Sequence, residues 1–155
     1  MTRSQRLDPL LRVKQQQQDD VAREVAQRDR ALAEQEQRLD ALRRYAAEYA
    51  SPSANITNPA LLANRLAFRE RLDAAVNQQS RAVEDSRQHR DVERARLLLA
   101  SRETHVLEKL SASYRSEESR ASEQRVQREL DDIGARRARI AQTARAADGG
   151  DGTAS

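Results

Sequence analysis

Stepping from Leu7 in alternating strides of four and three reaches Leu11, Lys14, Gln18, Val21, Val25, Arg28, Leu32, Gln35, Leu39, Leu42, Ala46 and Tyr49. Nine of these thirteen positions are apolar, where random placement would give about five. That is a heptad seam with polar interruptions. The residues between its stripe positions are mostly Gln, Arg, Glu and Ala, which suit a helix. Asp8-Pro9 supplies a start signal, Asp as N-cap and Pro at the first helical position. The seam stops near Ala50, where "SPSANITNP" brings turn chemistry. Asn58-Pro59 then repeats the start signal. A second stripe follows through Leu62, Leu66, Leu72, Val76, Val83, Leu97, Ala100, Leu107 and Tyr114. After a register shift, Val126, Leu130, Ile133 and Ile140 form another.

The pattern predicts an all-α chain, a single coiled-coil domain over residues 1–147. Its first helix covers about residues 5–50, a loop 51–59, and a second helix about 59–147, with 148–155 as a disordered tail. Neither helix hides its stripe alone. The short connection favours a long two-helix antiparallel coiled-coil hairpin with a longer second helix, roughly 70 Å long. Centred near residue 55, residue i then faces about 110 minus i. Leu42 lies near Phe68, Leu39 near Arg71 and Leu11 near Leu99, and the polar run 14–20 faces 90–96. Residues beyond about 104 have no partner within the chain in this register, and their stripe needs another molecule, another chain or partial disorder.

Composition narrows the class. Charged residues make up 34% of the chain and hydrophobic ones only 37%, counting alanine. That suits extended helices burying a stripe better than a globular core. Of the 28 basic residues 26 are Arg, interspersed with 25 acids, for a net charge of +3. A nucleic-acid face would cluster its basic residues on one side, so no nucleic-acid partner is expected. With no Cys, a disulfide framework and a cysteine zinc site are excluded. No apolar run reaches the roughly 20 residues of a membrane span. The start "MTRSQRLDPLL" lacks a signal-peptide apolar region, so a cytoplasmic location is expected.

Catalytic chemistry is missing from the pattern. His89 and His105 are sixteen residues apart on one helix, about 24 Å along its axis, and cannot share a metal. No glycine-rich phosphate loop is present. A two-helix hairpin offers no enclosed pocket. The reading is a non-enzyme with no cofactor and no metal.

The chain has four aromatic residues, and three of them, Tyr45, Tyr49 and Phe68, flank the loop. Tyr45 and Tyr49 are four apart and share a helix face, as do Phe68 and Leu72. Across the hairpin, Leu42, Tyr45, Tyr49, Phe68 and Leu72, with Ala75 and Val76 below, form one surface. Two readings stand together: a small core that closes the hairpin tip, and a partner-binding patch of amphipathic anchors.

The order of features resembles the flagellar export protein FliJ family. A Gln- and charge-rich heptad helix leads to "LDALRRYAAEY". A polar loop follows, then "FRERLDAAVNQQSRAV" and a long charged helix. A leucine before Y-x-x-x-Y, and F-x-x-x-L-x-x-A followed by Gln, fit Leu42, Tyr45, Tyr49, Phe68, Leu72, Ala75, Gln78 and Gln79. The resemblance covers about residues 7–120. It implies a component of the flagellar type III export apparatus, cytoplasmic and peripheral at the inner-membrane base of the flagellum. It further implies a stalk, similar to the central shaft of rotary ATP synthases, that links the hexameric export ATPase ring to the cytoplasmic domain of the FlhA-type export gate. An escort role for export chaperones comes with it. Carried over, the gate-binding tip is Leu42, Tyr45, Tyr49, Phe68, Leu72 and Ala75. For the ATPase end no motif is specific. The free-end apolar residues Leu7, Leu11, Leu97, Leu98, Leu99, Val106, Leu107 and Leu110 are its candidates. A monomer in isolation is expected on this reading. The competing reading is a structural coiled coil that self-associates through residues 104–145.

Overall fold

A computed structural model describes residues 1–51 and 56–149. Two helices account for almost all of them: α1, Arg3–Ala50, and a longer α2, Pro59–Asp148. They pack against each other as a helical hairpin. Both helices contribute to two compact units, one of Met1–Leu10 with Leu107–Ser155, the other Leu11–Val106. Asp148, expected to open the tail, is the last residue of α2; residues 150–155 of the expected tail and 52–55 of the expected loop fall outside the described residues.

The start of α1 departs from the expectation. Thr2 N–H donates to Gln5 Oε1 at 3.0 Å and Gln5 N–H donates to Thr2 Oγ1 at 3.3 Å. This reciprocal capping box satisfies two amides that a helix end otherwise leaves open, so the helix begins at Arg3. Pro9 therefore lies inside the helix. Asp8 caps nothing and instead pairs with Arg115 at 2.9 Å. For α2 the expected start stands. Asn58 is the N-cap, its Oδ1 accepting from Ala60 N–H at 3.0 Å, and Pro59 is the first helical residue.

In the Leu11–Val106 unit the core is thin. Leu32, Leu39 and Val83 form a buried cluster with Val76 packed against it. Val25 and Leu72 are also buried. A polar layer crosses the seam beside them: Gln79 Nε2 donates to Gln35 Oε1 at 2.6 Å and to Gln35 O at 3.0 Å. Ion pairs Lys14–Glu103, Glu24–Arg96, Asp29–Arg94 and Glu36–Arg87 flank the seam at 2.9, 3.7, 3.3 and 3.2 Å. Each is solvent-exposed and worth little alone. Together they fix α1 and α2 as antiparallel.

These pairs correct the expected register. Tyr49 was expected opposite residue 61 and meets Phe68; Lys14 was expected opposite 96 and meets Glu103. Both partners lie seven residues further along, one heptad. The error has a physical source: slipping by a whole heptad keeps every stripe position on its face, so periodicity alone cannot choose between the two registers. The tip chemistry chooses. Arg65 Nη2 donates to Ser51 O at 2.6 Å and to Tyr49 O at 3.4 Å. A cation thus meets the open carbonyls and negative dipole end of α1. The first turn of α2 is left running past that end. A second consequence is that the polar run 14–20 does not face 90–96. It faces the stretch beginning at Leu97, where Leu98 and Leu99 are exposed.

In the unit of Met1–Leu10 with Leu107–Ser155, the correction is larger. Ser4 N–H and Ser4 Oγ donate to the Glu118 carboxylate at 3.0 and 2.6 Å. The Arg3 guanidinium sits 5.8 Å from the Tyr114 ring centre. Residues 104–118 are thus not partnerless: α1 covers this part of α2 as far as Glu118. Small buried side chains, Ser4 and Ser111, let the helices approach here. From Ser119 to Gly149 every residue is exposed. The free part of α2 is real but begins some fifteen residues later than the sequence register put it (119 against 104).

Candidate partner-binding surfaces

The hairpin tip lies in the Leu11–Val106 unit. Tyr49 and Phe68 make an edge-to-face ring pair, centroids 4.8 Å apart at 62°, a geometry in which the positive ring edge meets the negative face. Arg65 lies 5.9 Å from the Tyr49 ring centre. That same arginine holds the α1 terminus, so one side chain fixes both the helix end and the ring. The expected pairing of Phe68 with Leu42 does not occur; Tyr49, one heptad later, takes Leu42's place.

The six expected tip residues separate by burial. Leu72 is buried, and Leu42 and Ala75 are half-buried. These belong to the closure of the hairpin. Tyr45, Tyr49 and Phe68 are 57%, 36% and 40% exposed. For rings of this size that is a large apolar area left in water, and it separates the exposed rings from the residues that close the hairpin.

Sequence reasoning left out the neighbours that extend this patch. A groove of about 230 Å³ is lined by Tyr49, Ile56, Leu62, Arg65, Leu66 and Arg69 among others. Leu61, Leu62 and Leu66 are about half exposed. The signal was present in the chain. Leu62 and Leu66 sit on the stripe directly after the N-cap, but the symmetric register assigned them α1 partners that they do not have.

The eight candidates for the ATPase end divide between the two units. In the Leu11–Val106 unit, Leu11 and Leu97 are half-buried in the seam, while Leu98, Leu99 and Val106 are exposed. In the other unit, Leu7 and Leu107 are half-buried and Leu110 is 37% exposed. The half-buried four hold the hairpin together. The exposed four are available to a partner.

Glu118 has its pKa lowered, first by the Ser4 hydroxyl and then by the Ser4 amide. Its carboxylate accepts at the amino end of α1, where the helix dipole also favours a negative charge. No group of three or more His, Cys, Asp or Glu is placed to hold a metal ion among the described residues. Among them, no helix is long and apolar enough to cross a membrane.

No curated protein and no solved structure matches the chain. A family model described as Flagellar FliJ protein matches residues 3–143. That span takes in both helices, the tip rings, the Glu118 cap and most of the exposed end of α2. The chain belongs to the flagellar FliJ protein family, a non-catalytic component of flagellar type III protein export.

Proposed function

We propose that the chain acts as a coiled-coil stalk that links the hexameric export ATPase to the export gate. The observation that carries this reading is the tip: Tyr45, Tyr49 and Phe68 stand exposed beside a closed hairpin end. Burial of large aromatic anchors is a common source of interface free energy. The tip takes the cytoplasmic domain of the FlhA-type gate, with Leu42, Leu72 and Ala75 holding the anchors in place. Leu98, Leu99, Val106 and Leu110 meet the ATPase ring, supported by Leu7, Leu11, Leu97 and Leu107. A long helical hairpin suits transmission between two partners. In this reading the protein works at the inner-membrane base of the flagellum and is held there by its partners. Escort of export chaperones belongs to the same proposal.

The test uses cells lacking the native gene. The chain with Tyr45→Ala and Phe68→Ala should swim poorly and fail to retain the gate domain, while its helicity by circular dichroism and its capture of the ATPase stay near normal. Normal swimming by the double variant would remove the tip from the mechanism.

A further inference from the structure

Residues 119–148 form exposed helix with a stripe of their own. Val126, Leu130, Ile133 and Ile140 are 52%, 58%, 48% and 67% exposed, and with Arg137 they keep the four-and-three spacing of a coiled-coil seam. This stripe does not continue the face covered by α1. That face runs through Leu107, Ser111, Tyr114 and Glu118, and its next heptad step is Arg125. The exposed stripe falls on Val126, one residue on, about 100° around the helix. A separate helix can therefore dock on it beside α1 without displacing it.

Charge selects the occupant. The stripe has two charged interruptions, Glu123 seven residues before Leu130 and Arg137 seven after. Residues 133–147 hold four arginines and no acid, whereas Glu123, Glu129, Asp131 and Asp132 lie ahead of them, among three arginines. In a parallel pair of identical helices Arg137 faces Arg137 and Glu123 faces Glu123, which is unfavourable. An antiparallel pair centred between Asp131 and Asp132 reverses this. Leu130 then packs on the second copy's Ile133, and the reverse, giving two apolar central layers. On either side Glu123 comes within one layer of the other copy's Arg137. Glu129 stands at the flanking position opposite the other copy's Arg136. Asp131 and Asp132 lie on the outer side of the pair. Of the two orientations, only this one keeps like charges out of the same layer and brings each interruption, opposite Val126 or Ile140, to within one layer of its opposite charge.

We infer that the exposed end of α2 is a self-complementary docking surface for a second copy of this chain, forming a reversible antiparallel dimer through residues 116–147. The inference does not depend on the stalk reading, since none of its residues belongs to the tip or to the eight ATPase-end candidates. A copy engaged in this way withholds its free helical end from any other partner.

Sedimentation of the full chain at low ionic strength tests it. A concentration-dependent monomer–dimer equilibrium is expected. Arg137→Glu should weaken it by about tenfold or more, a tenfold change being about 1.4 kcal/mol. Adding Glu123→Arg to that variant should bring the affinity back close to wild type. Ile133→Asp, at the centre, should abolish the dimer without altering the hairpin, since the side chain is exposed. Because the chain has no cysteine, single spin labels at Ala135→Cys and Gln142→Cys report the orientation cleanly. The antiparallel pair places the two labels at position 142 roughly 30 Å apart along the axis and those at position 135 roughly 10 Å. A chain that stays monomeric throughout, a dimer indifferent to Ile133→Asp, an unrescued charge swap, or equal label separations at both positions would each overturn the inference.

Discussion

Leu32 is 4% exposed and Val83 3% in a seam with few other buried side chains. In so thin a core each methylene matters more than in a globular domain. Leu32→Ala should lower unfolding stability by about 2–4 kcal/mol, readable as a shift in the urea midpoint with little change in slope. Glu118 is the other residue whose role is individually traceable. Its lowered pKa means the folded state favours the carboxylate. The contribution is complete above the ordinary value of 4.5 and is lost as pH falls through the lowered folded value. Amide exchange at Ser4, corrected for intrinsic rate, should therefore accelerate on acidification below that range. Glu118→Gln should give fast exchange already at neutral pH and remove most of the pH dependence. Unchanged protection at Ser4 in that variant would mean that the carboxylate does not hold the helix start.

For the helices as elements, the sequence was informative to different degrees. The α2 start at Asn58-Pro59, the α1 end at Ala50 and the antiparallel pairing were all legible, because caps, breakers and period are local signals. The α1 start was misplaced because Asp8-Pro9 and Thr2–Gln5 are both legitimate start signals. The reciprocal box won by satisfying two amides rather than one. Register was the largest miss. A seven-residue repeat is degenerate under a seven-residue slip, and the interaction that breaks the degeneracy, Arg65 on the Ser51 carbonyl, lies between side chain and backbone and leaves no periodic trace. Tyr49 and Phe68 meet across the hairpin, but the division of the tip into closing and exposed residues needed burial. Gly134 offers an element-scale prediction. A Cβ there would meet nothing within 4 Å, so Gly134→Ala should stabilise the exposed end of α2 by about 0.5–1 kcal/mol through backbone entropy. The check is a rise in helicity, or slower amide exchange, in residues flanking 134.

At the scale of the whole molecule, membership of the FliJ family sets the setting as flagellar export, and exposed apolar side chains on an otherwise charged chain propose where contacts are made. The two kinds of surface call for different partners. The tip presents exposed aromatic rings around a groove lined by Arg65 and Arg69, while the far part of α2 presents an exposed aliphatic stripe interrupted by Glu123 and Arg137. The central claim is that the tip is the gate-binding surface. Calorimetric titration of the gate's cytoplasmic domain into the full chain tests it most directly, comparing wild type with Tyr45→Ala, a position exposed enough that the fold should not depend on it. A loss of affinity of at least about tenfold is expected, in the range of an interface anchor, with an unchanged unfolding midpoint. Equal affinity for the two proteins would contradict the claim.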